Sequence, residues 1–438
     1  GIAANNSNVP GTVKASTNTH TIIITADGNS AGRLSAVSNN MTIRAYAYAG
    51  GIVGCGEPQS RMQVVGCLNA GGFDRPADGV FPDSRLKTGV NLAAYLRTQG
   101  HEDAAQALSD EPGADELRVS IVGGIVGVGG KNHVIDRCAS RGTMNGLDAM
   151  GGVVGLNEGI IRDCTLSGSM GSATQDYIGG IAGLNVGGRT AGTIENCTAG
   201  KNCTVTGRTA VGGIVGYNLS GGRVQGCTGS ANVSGTGRVG GIAGENGGEI
   251  VLSGAKAGAR RVTGTGSGVG GVIGVNTETG TLRAADDSAQ GDVIAADSGL
   301  TVRGGSKVGG IAGIVSDDSF VINCYSTVEK ITANSSYASV VGYSKKGNLQ
   351  NIYGNSACPS KSAANSAVGS DKAAGTVWKK TTFALLSLDE MKSGAVTVPS
   401  SGESCANFAA ALNAGATLFN DTPAATLPGK PDVVLRKW

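Results

Sequence analysis

A five-residue phrase, Gly-Gly-Ile/Val-Val/Ala/Ile-Gly, occurs eight times, at 50–54, 123–127, 151–155, 179–183, 212–216, 240–244, 270–274 and 309–313. A worn ninth copy, Ala338-Ser339-Val340-Val341-Gly342, follows, and successive copies start 73, 28, 28, 33, 28, 30, 39 and 29 residues apart. Self-similarity at a period of about 20–50 residues marks a solenoid or an array, in which a core forms only by stacking. A chain of 438 residues is therefore expected to make one elongated body with appendages, each unit touching mainly its neighbours.

One unit reads Val211-Gly-Gly-Ile-Val-Gly-Tyr-Asn218, Gly222-Arg-Val-Gln-Gly-Cys-Thr228, Ala231-Asn-Val-Ser-Gly-Thr-Gly-Arg238. Three short β-branched runs are separated by Gly, Asn and Ser, and none is long enough for a helix. This predicts an all-β fold, a single-stranded parallel β-helix of three-strand coils, right-handed, with about 4.8 Å between coils. The 75 glycines recur at fixed places in the unit, which makes them turns and close approaches rather than a collagen-like or disordered composition.

Stacking turns each repeat position into a column. Asn157, Asn185, Asn218, Asn246 and Asn276 each fall two residues past the last glycine of the phrase. They are expected to form a hydrogen-bonded ladder at a corner, where Asn also tolerates left-handed backbone; a polar ligand groove is the functional alternative. Cys138, Cys164, Cys197, Cys227 and Cys324 each follow an Ile or Val by three, and Cys67 follows Val64 in the same way. They read as small buried fillers of one column, and without Cys-x-x-Cys spacing no zinc site is expected. Cys358 and Cys405 lie beyond the repeats and are a candidate disulfide.

Strict alternation across Val211-Gly-Gly-Ile214-Val215 would turn Ile214 away from Val211 and Val215. Either the glycine pair bends the chain so that all point inward, or an apolar row of Ile125, Ile181, Ile214, Ile242 and Ile311 lies outside; the bend is the expectation.

Domain boundaries follow the texture: 1–72 as N-terminal cap and first coils, 73–119 as a helical insertion, 120–356 as the repeat body, and 357–438 as a C-terminal cap. Asp83–Arg97 and His101–Leu108 read as amphipathic helices, making the insertion the leading place for specificity; the plainer alternative is a lid over the first coils. Ser387-Leu-Asp-Glu390 is a capping-box pattern, Asn407–Asn413 suggests another helix, and Trp378, Phe408 and Trp438 are expected to pack on the last coil.

Net charge is +2 from 35 basic and 33 acidic residues, which gives no reason to expect nucleic acid or an anionic membrane as partner. No apolar run reaches the roughly 18 residues of a transmembrane helix. No signal-peptide pattern opens at Gly1, so the expectation is either a cytosolic chain or a processed form; the Thr/Ser/Asn/Gly-rich, Lys-poor texture favours a secreted bacterial surface protein. Asp286-Asp287 and Asp317-Asp318 are the acidic doublets that a glycan-cleaving β-helix would need to bring together, but both fall in irregular segments. None of His20, His101 and His133 accompanies a nucleophile motif, and no Gly-Lys-Ser/Thr follows a glycine-rich phrase.

The phrase Val211–Asn218 followed by Gly222–Cys227 resembles the GLUG-motif repeats of bacterial surface proteins, over about 120–345 and the early copy at 50–54. Such repeats occur in adhesin-like proteins of gut and oral bacteria and beside the peptidase part of streptococcal IgA-cleaving metalloproteases. The resemblance implies an extracellular β-solenoid at a bacterial cell surface, used for attachment or as a spacer. Its partner would be a host or microbial surface protein or glycan, or copies of itself in a fibre, since some relatives carry pilin-like leaders. The peptidase signature does not carry over: His101-Glu102 is followed by Asp-Ala-Ala, without the second His. No catalytic residue, metal or cofactor is implied. The expected function is a non-catalytic adhesin-like or structural module, with a filament subunit as the alternative and a glycan-cleaving enzyme third.

Overall fold

The fold is given by a computed structural model. It describes residues 3–6, 12–14, 31–35, 38–39, 48–56, 61–73, 90–109, 118–145, 148–187, 192–251, 254–255, 261–283, 291–292, 295–296, 299–344, 346–358, 367–369, 381–399, 401–408, 410–412 and 433–434. Asp286-Asp287, Trp378 and Trp438 lie outside these residues.

The repeats stack into a parallel β-solenoid. Each contributes a strand to a ten-stranded sheet that runs from Ala3–Asn6 through Val53–Gly56, Val126–Gly129, Val215–Asn218 and their equivalents to Val341–Ser344. Sheets of nine, twenty-one and five strands form the other walls, and neighbouring coils pair in parallel throughout, as Val215↔Ala243 and Asn218↔Asn246 do. The first two runs of a unit are each bent into two short strands, and the third forms one. In one coil these are Thr209–Gly212 and Val215–Asn218, then Arg223–Gln225 and Thr228–Gly229, then Asn232–Gly235; Gly237–Gly240 opens the next coil and pairs in parallel with Thr209–Gly212.

The first bend is where the phrase acts. Ile214 N–H and Val215 N–H both donate to the carbonyl of Ile242 in the next coil, at 2.9 Å each. The same two-donor clamp joins Ile52 and Val53 to Ile125, Ile181 and Ala182 to Ile214, and so on to Val340 and Val341 with Ala367. Two consecutive amides pointing the same way break strand alternation, so both side chains enter the core. Ile125, Ile181, Ile214, Ile242 and Ile311 are all fully buried in the main cluster, as the bend requires. At about 25 cal/mol per Å² of apolar surface, such columns are the main favourable term of each coil.

The glycines are fixed by close approach. A Cβ on Gly212 would sit 1.9 Å from the Val215 carbonyl oxygen, on Gly213 2.1 Å from that of Gly241, and on Gly216 2.6 Å from the backbone of Tyr177. These obstacles are main chain and cannot rotate away.

A second corner precedes the cysteine column. Gly66, Arg137, Asp163, Asn196, Gly226 and Asn323 have positive φ, and each stands immediately before one of Cys67, Cys138, Cys164, Cys197, Cys227 and Cys324. The five ladder asparagines are not left-handed; each closes a strand.

The insertion contains α1 (Leu92–Thr98) and α2 (Glu102–Ser109), and its base is pinched by Val90–Asn91 pairing antiparallel with Arg118–Val119. Asn91 caps α1 through its side chain. At the C-terminal end, Thr381–Leu386 adds to the twenty-one-stranded sheet. Ser387 and Glu390 form the predicted capping box at the start of α3 (Leu388–Ser393), and the Ser387 backbone N–H holds the Glu390 carboxyl below its usual range. Phe408 packs edge-on against Tyr325 and Tyr353 in a separate cluster. No helix among the described residues is long and apolar enough to cross a membrane.

Gly213→Ala is expected to lower unfolding free energy by about 3 kcal/mol, the overpacking range. Gly66→Ala, at φ +60 with no atom within 4 Å, should cost only about 1 kcal/mol. Denaturant titration of both variants checks the contrast; equal losses would contradict it.

Candidate interaction site

The five asparagines form one continuous column. Asn157 Nδ2 donates to Asn185 Oδ1, Asn185 to Asn218 and Asn218 to Asn246, each at 2.8 Å, and Asn246 to Asn276 at 2.7 Å. Each also donates to a main-chain carbonyl, among them those of Gly159, Gly192 and Gly222. All five are fully buried, so the column braces the corner and offers nothing to a ligand.

The cysteine column is likewise internal. Backbone N–H groups of Cys67, Cys138 and Cys197 donate to the sulfurs of Cys138, Cys164 and Cys227 in the following coil, at 3.3–3.4 Å. The thiols donate to carbonyls such as those of Val64 and Arg162. The Cys164 hydrogen bond raises the Cys138 thiol, and burial raises Cys197 and Cys324, all well above the ordinary thiol range. The expected disulfide is corrected: Cys358 and Cys405 are separate thiols. Cys358 belongs to the main core, where burial pushes it up to about 12, and Cys405 to the cluster beneath the C-terminal segment.

The insertion is a lid. In the ten-stranded sheet, Cys55, Val128, Leu156, Leu184, Tyr217, Glu245, Val275, Ile314 and Tyr343 form one row. Val128, Leu156, Leu184 and Tyr217 belong to a cluster distinct from the main core, shared with Leu92, Ala93 and Leu96 of α1 and Ala104, Ala105 and Leu108 of α2. The row faces outward, and the helices cover it as far as Tyr217.

One buried polar contact fastens the lid. His101 Nε2 lies 3.0 Å from Glu158 Oε2, with side chains only 2% and 0% exposed. The Tyr95 hydroxyl donates to the other carboxylate oxygen at 3.4 Å, and Lys131 Nζ to the Gln99 carbonyl at 2.6 Å. Burial, then the Glu158 charge, pushes the Cys55 thiol up to about 11. The sequence reading weighed His101 as a metal-motif fragment, as a companion to a nucleophile and as the start of a helix, and not as a fastener. The usable signal was the position of Glu158, directly after ladder residue Asn157 and facing the insertion.

Beside α2 runs a groove of ≈ 500 Å³ lined by residues including Asp103, Gln106, Tyr217, Glu245, Thr277 and Glu278. Glu245 is held by Arg238 at 2.9 Å. Asp317 and Asp318 sit on a corner, half-buried and exposed, with Asp318 at positive φ.

No family model, curated protein or solved structure matches this chain.

Glu158→Leu leaves the buried His101 ring without its hydrogen-bond partner, a loss of about 2 kcal/mol confined to the lid. Hydrogen exchange should accelerate across 92–109 and leave 212–246 protected; unchanged exchange in the helices would remove Glu158 as the fastener. Thiol titration at pH 8 should leave the six column cysteines unreacted in the folded chain and modify them in guanidinium, since the thiolate is the reactive form. Rapid labelling of Cys164 or Cys197 without unfolding would contradict it.

Proposed function

We propose that this chain is a non-catalytic extracellular β-solenoid of a bacterial surface, serving as an attachment or structural module. The observation that carries this reading is the continuous main-chain clamp from Ile52 to Ala367. A body whose every coil is hydrogen-bonded to the next is stiff and elongated, suited to holding a face away from its point of anchorage. Its polar columns are consumed by that stacking: the Asn and Cys positions that might have served chemistry instead join coil to coil. The GLUG-like phrase adds the bacterial-surface context.

A second reading, a filament subunit, has its own support. Among the described residues the ten-stranded sheet ends on Ala3–Asn6 at one edge and on Val341–Ser344 at the other, the latter meeting a bridge from Val341 to Val368. Sheet edges are templates for another chain.

The test is labelled full-length chain applied to bacterial and host cell surfaces, with electron microscopy and sedimentation of the same sample. Saturable surface binding by discrete particles is expected. Concentration-dependent fibres would replace the first reading by the second, and release of reducing ends from surface polysaccharide would overturn the non-catalytic assignment.

A further inference from the structure

The five-stranded parallel sheet is the plainest wall of the solenoid. Its strands are Thr204–Thr206, Asn232–Gly235, Arg261–Gly264, Thr301–Gly304 and Lys330–Ala333. Val205, Val233, Val262, Val302 and Ile331 point into the core. Alternation then places Thr204, Thr206, Asn232, Ser234, Arg261, Thr263, Thr301, Arg303, Lys330 and Thr332 on the opposite face. The face therefore carries hydroxyls, one amide and three cations, and no carboxylate.

The cations are grouped. Arg261 stands opposite Thr301, and Thr301 opposite Lys330, while Arg303 stands opposite Thr263 and Thr332. All three cations are exposed. Strand and residue spacing put the Arg303 Cα about 8 Å from each of the other two, and those two about 10 Å apart. Around them the hydroxyls continue the plane, with Thr206 and Ser234 in mutual contact at 3.1 Å. Glu329, exposed, immediately precedes Lys330.

We propose that this face binds an acidic polysaccharide. Charge complementarity selects an anionic partner. Guanidinium forks pair bidentately with carboxylate or sulfate groups, and flanking hydroxyl and amide side chains can exchange hydrogen bonds with sugar hydroxyls. A flat face repeated at the coil spacing suits a linear periodic polymer. Nucleic acid fits less well. No aromatic among the face residues named can stack an unpaired base, and among the described residues no helix or ribbon projects from it to enter a duplex groove. The proposal deepens the attachment reading and rests on it, giving the module one face and one class of partner.

The experiment uses the full chain on immobilised heparin as the acidic polysaccharide, beside R261S/R303S/K330S and the off-face control K201S, all checked for unchanged circular dichroism. The unsubstituted chain and K201S should be retained at physiological salt. The triple variant should bind at least tenfold more weakly, its log affinity against log salt shallower by about 2 to 3 units. Failure of the unsubstituted chain to bind, equal retention of the triple variant, or equally tight binding of duplex DNA would each overturn the proposal. Cell-surface binding that survives the triple substitution would overturn the face and leave attachment standing. Heparin binding that needs the three cations, in a chain that decorates no surface, would support the face and overturn attachment.

Discussion

Everything in this molecule depends on one carbonyl per coil accepting two main-chain donors from the coil before it. The Ile242 carbonyl receives Ile214 and Val215, and the Ile214 carbonyl receives Ile181 and Ala182. The clamp fixes the bend, the bend brings two adjacent apolar side chains inward, and the space left over admits only hydrogen at Gly212, Gly213 and Gly216. Because the bonds are main chain to main chain, the side chains need only be apolar and small enough to fit the coil. That is why Ile, Val and Ala interchange in the phrase while its glycines hardly vary.

The buried columns divide the remaining work by chemistry. An asparagine amide offers both a donor and an acceptor, so a stack of them satisfies itself coil after coil while each also binds a main-chain carbonyl. A thiol is a weaker partner of both kinds and fills space as an apolar group. It can therefore sit inside the core at a corner whose bend is made by the residue before it, whether Asn196, Asp163 or Arg137. Arginine at positive φ shows that stacking, rather than local preference, sets the backbone there.

The solenoid, its parallel stacking and both columns were legible in the sequence because each is a period, and a period is visible in one dimension. The bends inside the first two runs were less visible: a glycine pair signals a break in alternation, but the two-donor clamp belongs to the neighbouring coil. The lid was harder still. Leu92, Leu96, Ala104 and Leu108 announced two amphipathic helices, yet the surface they cover is the outward row Val128, Leu156, Leu184 and Tyr217, which carries no signal of its own in the repeat. His101 and Glu158 are 57 residues apart in segments with no common motif, so only the fold brings them together.

The lid also imposes an order on how the molecule is made. A solenoid can grow from any nucleus by adding neighbours, and chains emerge from synthesis N-terminal part first. Helices α1 and α2 precede every residue of Val128, Leu156, Leu184 and Tyr217 that they cover. During synthesis their apolar faces must wait, uncovered, while some hundred residues of later coils are made and stacked. Until Tyr217 arrives the nascent chain carries two sticky helices and an unfinished wall, which is the interval in which a chaperone, or a neighbouring chain, would find it.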